Sequence, residues 1–473
     1  MARAWVKRWS PHRGEGKGSL VPALSVQPNK SIEKMHWNLP PSKSHAIRWL
    51  ALAAQSTQTV RLDNMAWAGQ DIVSMRRCLR QLGVRIIDLD GAGKPFDVEA
   101  NLDDQPPSGT VSWEVAGNGP DALRAPVSVL HAGNSGTALR ILMAICARFD
   151  VPVMVDGDAS LRARNHDVMV GALETLGVRA SRGAGVEGLP LLLQGPWQPQ
   201  GDLPLDISTS SQPTTAFCLA APALPNSIII KSSGEGVSLR HSSLTKAMCV
   251  QTGAQEALHD GYLEPWTPAF EETSVMMPPD ASMLAFACLA TRVCRIPITV
   301  EALPTPGDAL GHDVLMDHLT PLGLAREGST FSVIETTTTV EVDLRHANDL
   351  ITPVAAMLAL GGGGTIVGAE HAAFKETDRT HGTVALLAQF GLSSTYEGGQ
   401  LDVPGGQTVA QPSGLVETYG DHRMQMTALV LAMGCSAPVL IEGDDLHEVA
   451  DPEAIERWQC LGVKIEPVLH RPW

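Results

Sequence analysis

Lys375-Glu376-Thr377-Asp378-Arg379 puts two cations and two carboxylates into five residues, directly after the apolar, glycine-rich stretch 357–367. A charge knot so close to a buried-looking segment suits an anionic substrate better than a decorated surface. Pro40-Pro41-Ser42-Lys43-Ser44-His45-Ala46-Ile47-Arg48 brings a lysine, hydroxyls and an arginine to the start of another apolar run. Those residue types suit a phosphate at a positive helix end; a capping serine beside a solvated lysine has the same sequence. In Asn134-Ser135-Gly136-Thr137-Ala138-Leu139-Arg140, Gly136 lets a ligand approach the backbone, and the N–H groups beyond it can cradle an anion or simply begin a capped helix. Ser208-Thr209-Ser210-Ser211-Gln212 precedes Pro213, which a first helical turn tolerates; the segment reads as a dense donor set or as an exposed Ser/Thr turn. Tyr419-Gly420-Asp421-His422-Arg423-Met424 sets His422 between an acid and a base, fit for anion binding or proton relay or for a satisfied structural histidine. Arg162 and Arg164 add cations whose ordinary reading is surface salt bridges.

The elements that must position these residues recur along the chain. A helix-like stretch ending in glycine, followed by a β-like segment, appears at Gly83, Gly177, Gly253, Gly323, Gly391 and Gly462. Each glycine is expected in left-handed conformation just past a helix end. The near-regular spacing points to six copies of one α/β module of several strands and two helices. Each copy also holds an apolar, small-residue helix candidate: 46–54, 137–147, 214–223, 282–291, 353–360 and 424–433. These are too apolar all round to lie on a surface. They are expected as central helices with sheets outside them, and their N-termini are the natural place for a site.

Composition narrows the function classes. At 473 residues, 44% hydrophobic and 18% charged, the chain reads as a soluble globular protein of two domains. A net charge of −16 argues against nucleic acid and anionic membranes as partners, since a phosphate-backbone binder needs a basic face. No apolar run reaches the length of a membrane span. The eight cysteines are scattered without C-x-x-C spacing, which predicts reduced core thiols in a cytoplasmic protein rather than disulfides or a zinc site. The basic residues 1–18 lack the apolar core of a secretion signal and read as a disordered tail or an early start codon, with organelle targeting as the alternative.

Taken together in chain order, Lys43-Ser44 with Arg48, Asn134 with Gly136-Thr137, Arg164, Ser210-Ser211-Gln212, Asp280-Ala281-Ser282, the charge knot and Asp421-His422-Arg423-Met424 resemble the 3-phosphoshikimate 1-carboxyvinyltransferase (EPSP synthase) family. Pro40-Pro41-Ser42-Lys43 and Asn348-Asp349-Leu350 resemble archaeal-type members most. The resemblance implies an α/β fold, a two-domain inside-out α/β barrel built from six βαβαββ units and joined by a double crossover. On that pattern residues 1–33 form an N-terminal extension and first strand, 41–277 the first domain, and 34–40 plus 278–473 the second. The implied reaction moves the enolpyruvyl group of phosphoenolpyruvate to the 5-hydroxyl of shikimate 3-phosphate, with no cofactor or metal, in a cytoplasmic monomer. Ser44, Arg48, Ser210, Ser211, Gln212 and Ser238 would hold shikimate 3-phosphate, with Lys375 and Asp349 at its ring hydroxyls. Gly136, Arg164, Gln212, Arg379 and Arg423 would hold phosphoenolpyruvate, and Lys43 would bridge both. Asp349 is implied as base for the hydroxyl, Glu376 or Lys43 as the group that protonates and deprotonates the methylene carbon, and His422 as the residue that orients Glu376.

The pattern also departs from the family. Val449 stands where a C-terminal lysine is usual, so one phosphoenolpyruvate-binding cation is missing, and His447 is the nearest substitute. Asn165 follows Arg164 in place of proline, and His371 precedes the charge knot at a variable position. These departures leave two alternatives: enolpyruvyl transfer to another hydroxylated acceptor, or a non-catalytic protein that binds a shikimate-like anion.

Overall fold

The computed structural model describes residues 20–28, 31–97, 105–183, 188–198, 201–305 and 311–471. The basic residues 1–18 lie outside the described residues. Among the described residues there are six sheets of three or four strands, and two of them show the repeated module without interruption. In one, Val340–Asp343 runs parallel to Gly363–Val367, Gln400–Pro404 pairs antiparallel with the latter, and Thr395–Glu397 closes the edge. Helices Ile351–Leu360 and Arg379–Gln389 form the two connections, giving βαβαββ. The sheet of Leu130–His131, Val153–Asp156, Arg179–Arg182 and Leu191–Gln194 repeats this order and these directions.

Three units borrow a strand from elsewhere in the chain. Thr59–Asp63 finds its parallel neighbour in Ser274–Met276, and Ile298–Val300 finds its own in Met35–Trp37. Val21–Gln27 fits antiparallel between Val439–Glu442 and Lys464–His470, completing the last unit with the first strand of the chain. The swaps force the chain to pass between its two halves twice. The two passages pair with each other through a Pro41–Pro279 bridge, Ser42 N–H donating to Pro278 O (2.8 Å) and Asp280 N–H to Pro40 O (2.9 Å).

Helices Lys43–Ala54, Gly136–Cys146, Gln212–Ala220, Leu284–Cys294, Ile351–Leu360 and His422–Met433 are the six apolar candidates, most of their residues buried. Several begin earlier than their apolar runs and take in Lys43, Gly136, Gln212 and His422. Burial does not begin with the apolar run: His45, Gly136, His422 and Arg423 are buried as well, and the N–H groups of such first turns have no partner within the helix. All six repeat glycines adopt positive φ, between 71° and 101°. The helix before Gly323 is shorter than its sequence suggests, His312–Asp317 followed by turns, since Pro321 interrupts it.

Two hydrophobic clusters form, one drawn from Ala46 to Met277, the other from Leu24–Leu39 and Met283–Ile465. The halves also touch on both sides of the passages. Arg240 makes a two-pronged ion pair with Asp313, Arg345 meets Glu235 at 2.8 Å, and the Arg457 guanidinium lies 4.3 Å above the Trp67 ring. Gly69 is pressed against the segment around Val449 so closely that a Cβ there would lie 2.5 Å from the Val449 carbonyl oxygen. Gly69→Ala is therefore expected to wedge the halves apart: small-angle X-ray scattering should give a larger radius of gyration, with the circular dichroism unchanged. An unaltered radius would mean that this contact does not limit closure.

Candidate active site

The site forms where the passages end and the central helices begin. Lys43 opens the first central helix, and its backbone N–H donates to Asp280 Oδ2 at 3.1 Å. Asp378 caps the helix that starts at Arg379, accepting from Thr380 N (3.0 Å) and His381 N (3.3 Å). Asp421 caps the helix that starts at His422 by accepting from Arg423 N at 2.7 Å. Caps of this kind satisfy N–H groups that the helix itself leaves unpaired, so charged residues just inside the helix start at fixed positions.

Arg379, 1% exposed, is the hub. Its fork donates to Asp421 Oδ2 (2.7 Å), Asp349 Oδ1 (2.7 Å) and Glu376 Oε2 (2.7 Å). The other Glu376 oxygen meets Arg164 of the opposite half at 3.1 Å. Arg164 is held in turn by Asn134 Oδ1 at 2.9 Å, whose amide donates to Asp158 at 2.7 Å. Arg423 reaches Asp349 Oδ2 at 3.4 Å. Burial by itself would raise the carboxyl pKa values. For Glu376, Arg164 and Arg379 reverse this and hold it well below the carboxylate range; for Asp349, Arg423, Lys375 and Arg379 do the same.

A second layer of cations lies toward the first half. Lys43 Nζ pairs with Asp71 Oδ2 at 3.1 Å. Burial pulls the lysine pKa down, but Asp71, with Asp349 and Glu376, outweighs it and Arg423, and the net direction is up. Arg48, 1% exposed, donates to Thr245 Oγ1 (2.7 Å), Ser44 O (2.7 Å) and His241 O (3.1 Å). Arg140 donates to Gln212 Oε1 at 2.7 Å and Gly136 O at 3.1 Å. Among the described residues neither arginine has a carboxylate partner, and burial pulls both down to about 10. A buried cation satisfied only by neutral acceptors keeps its charge available for an anion. Gly136 matters here because a Cβ would lie 2.9 Å from Arg140 Nη1, 3.1 Å from Arg164 Nη1 and 3.3 Å from Gln212 Oε1.

Lys43, Ser44 and His241 of one half and Asp280, Asp349 and Arg423 of the other line a remaining cavity of about 20 Å³, the space of a single water. The cleft is closed on its own ion pairs. Ser211 donates to Ser238 O at 2.9 Å, and Ser238 Oγ lies 3.3 Å from His371 Nε2, so hydroxyls of the first half also meet the second. Lys375, lowered by burial despite Asp349, has no carboxylate within ion-pair distance among the described residues.

Lys43, Arg164, Asp349, Glu376, Arg379, His422 and Arg423 thus come together, and Gly136 and Gln212 adjoin them through Arg164 and Arg140. Three details differ from expectation. His422 makes no hydrogen bond to Glu376: both ring nitrogens lack partners among the described residues, because Arg164 and Arg379 already occupy the carboxylate. Arg379 does not stand free for a ligand but is filled by three acids. His447 is no substitute cation, since burial pulls its pKa down to about 4. Asp71 escaped the sequence reading. Its one signal is an acid in the first turn of helix Gln70–Gln81 after Gly69, and nothing local connects it with Lys43.

Two α/β halves of repeated units closing on a cationic cleft define the enolpyruvyl transferase fold. Over 95% of this chain and all of the other, the structure resembles the enolpyruvyl transferase NikO from Streptomyces tendae, with a TM-score of 0.66 at 14% identity. It resembles EPSP synthase from Acinetobacter baumannii with a TM-score of 0.70 at 20% identity, over 94% of this chain and all of that one. The chain belongs to the EPSP synthase (3-phosphoshikimate 1-carboxyvinyltransferase) family, whose sequence profile matches residues 26–458. Relatives named 3-phosphoshikimate 1-carboxyvinyltransferase include that of Methanothermobacter thermautotrophicus, 26% identical over 90% of this chain and 95% of its own. Another, from Rhodopseudomonas palustris, is 28% identical over 90% of this chain and 94% of its own.

The carboxylates give the closed cleft a defined pH response. Their folded-state pKa values lie below the ordinary 4.5 of Glu376 and 3.8 of Asp349. The stability they lend is complete above those ordinary values and is lost only as pH falls through the lower folded ones. Carbon-13 NMR of the carboxyl carbons should find Glu376 still ionised at pH 4.5; a midpoint at or above that value would contradict the Arg164–Glu376–Arg379 bridge.

Proposed function

We propose that this protein transfers the enolpyruvyl group of phosphoenolpyruvate to the 5-hydroxyl of shikimate 3-phosphate and releases inorganic phosphate, the shikimate-pathway step toward chorismate and the aromatic amino acids. The observation that carries this reading is the cluster at the junction of the halves, where buried cations of both halves surround Asp349 and Glu376. Two substrates bearing phosphate and carboxylate groups repel each other, and only a surplus of fixed cations makes their meeting favourable. They enter when the halves part, and closure then expels water.

In this reading Ser210, Ser211 and Ser238 take the phosphate of shikimate 3-phosphate, supported by the N-terminus of helix Gln212–Ala220. Ser44, Arg48 and Lys375 complete that half of the site. Arg164, Arg423, Gln212 and the backbone at Gly136 hold phosphoenolpyruvate, Lys43 bridges both substrates, and Arg379 shares in phosphoenolpyruvate only by exchanging an acid. The substrates' charges replace those of Asp349 and Glu376 as partners of the cations. Asp349 thereby recovers basicity at the moment when the 5-hydroxyl must lose its proton. Glu376, released from Arg164, exchanges a proton with the methylene carbon, with Lys43 as the alternative donor. Addition of the hydroxyl oxygen to the enol carbon gives a tetrahedral ketal. Loss of phosphate together with a methyl proton restores the double bond. The two halves act as closing domains of a cytoplasmic monomer, and no described helix is long and apolar enough to cross a membrane.

The direct test is phosphate release by the purified protein with both substrates. Binding of shikimate 3-phosphate without release would favour a non-catalytic binder, and release only with another hydroxylated acceptor would move the specificity. Asp349→Ala should lower turnover by about a hundredfold, and near-parental turnover removes it from the mechanism. Val449→Lys, which restores one charge-assisted bond, should lower the KM for phosphoenolpyruvate by about tenfold and leave that for shikimate 3-phosphate unchanged. An unchanged phosphoenolpyruvate KM would show that the missing cation is compensated elsewhere.

A further inference from the structure

Among the described residues, His371 is an imidazole that faces a hydroxyl of the opposite half. Its Nε2 lies 3.3 Å from Ser238 Oγ, and the residue is 5% exposed. Ser238 is itself drawn into place from both sides. Its carbonyl accepts from Ser211 Oγ (2.9 Å), its N–H donates to Arg345 O of the second half (3.0 Å), and its φ is +52°, a conformation that a serine adopts only at some cost. A phosphate oxygen that takes the Ser238 hydroxyl competes with the imidazole for the same group and so meets the side of the cleft where Nε2 lies. The other ring nitrogen, Nδ1, has no partner among the described residues.

In the closed, ligand-free site the ring is neutral. Burial, and then Lys375, lower its pKa to about 4, with Asp349 opposing and Arg345 and His346 adding to the effect. Arg345 is tied to Glu235 at 2.8 Å, and His346 Nδ1 accepts from Leu239 N–H at 3.3 Å, so neither is free to turn away. A phosphate monoester carries close to two negative charges above its second pKa of about 6. Seated at Ser238, it supplies the counter-charge that the ring lacks in the free protein.

We propose that His371 is a proton-coupled ligand of the acceptor's phosphate group: as the phosphate seats against Ser211 and Ser238, the imidazole takes up a proton and donates to a phosphate oxygen. This rests on the acceptor being shikimate 3-phosphate and deepens that assignment. By linkage, a group whose pKa is higher in the complex than in the free protein strengthens binding. That contribution is fully present below the free value of about 4 and fades as pH rises through the value in the complex.

Calorimetric titration of the wild-type protein with shikimate 3-phosphate at pH 8, in buffers of differing ionisation enthalpy, reads the proton directly, because the phosphate itself is almost wholly ionised there. The expected result is net proton uptake with shikimate 3-phosphate and none with shikimate. His371→Gln should abolish the uptake and raise the dissociation constant about a hundredfold at pH 6, a ratio that shrinks by pH 9. If wild type binds shikimate 3-phosphate and releases phosphate from phosphoenolpyruvate but takes up no proton, or if His371→Gln has parental affinity at every pH, the proposal is overturned and the enzymatic assignment stands. If wild type fails to bind shikimate 3-phosphate at all, both fall. The wild-type measurement decides the matter even if the variant does not fold.

Discussion

A guanidinium removed from water needs hydrogen-bond acceptors or counter-charges, and Arg379 is removed almost completely. Unpaired, such a charge would be costly enough to unfold the site. With Asp349, Glu376 and Asp421 on its fork it becomes the fixed point from which the rest is measured. Asp421 is simultaneously the cap of the helix that carries His422 and Arg423, so one arginine ties two helix starts together. Through Glu376 the same network reaches Arg164 and hence the other half of the molecule. The closed form is an electrostatic bridge of alternating signs, not an apolar seal.

The fold makes this bridge possible by turning the usual α/β arrangement inside out. With helices in the centre and sheets outside, helix N-termini converge on the cleft, and their unpaired N–H groups and dipoles face one volume. The swapped strands add a second constraint. Because Ser274–Met276 and Met35–Trp37 each belong to a unit formed by distant sequence, the two passages of the chain lie side by side. Lys43, at the start of its helix, and Asp280, in the turn that leads into the next, lie within hydrogen-bond distance. The hinge of the two halves and the floor of the site are the same few residues.

Closure without ligands also explains the direction in which the acids are shifted. Cations gathered for substrates find partners among the site's own carboxylates, so Asp349 and Glu376 are weak bases until anions compete for Arg164, Arg423, Lys43 and Lys375. Arg48 and Arg140 differ: among the described residues they have neutral acceptors only, and they keep a positive field in the first half whether or not a ligand is present. The surplus is not uniform, since Val449 and His447, whose pKa burial pulls down to about 4, leave positions 447 and 449 without a cation.

The sequence by itself determined the repeated unit, the central helices and most of the chemistry-bearing residues. These are written locally: apolar runs with an all-round pattern, glycines at helix ends that take positive φ, and Lys-Ser, Ser-Ser-Gln or Asp-His-Arg signatures in first turns, where caps fix them. Only the tertiary structure decided which charges meet. Asp71 faces Lys43, Arg379 is filled by three acids rather than open to a ligand, His422 has no hydrogen-bond partner among the described residues, and His371 meets Ser238 across the cleft. Each of these depends on how separate units are brought together by exchanged strands and by closure. Electrostatic pairing is set by distances between remote segments and by loss of water, and neither is encoded in the spacing of neighbouring residues.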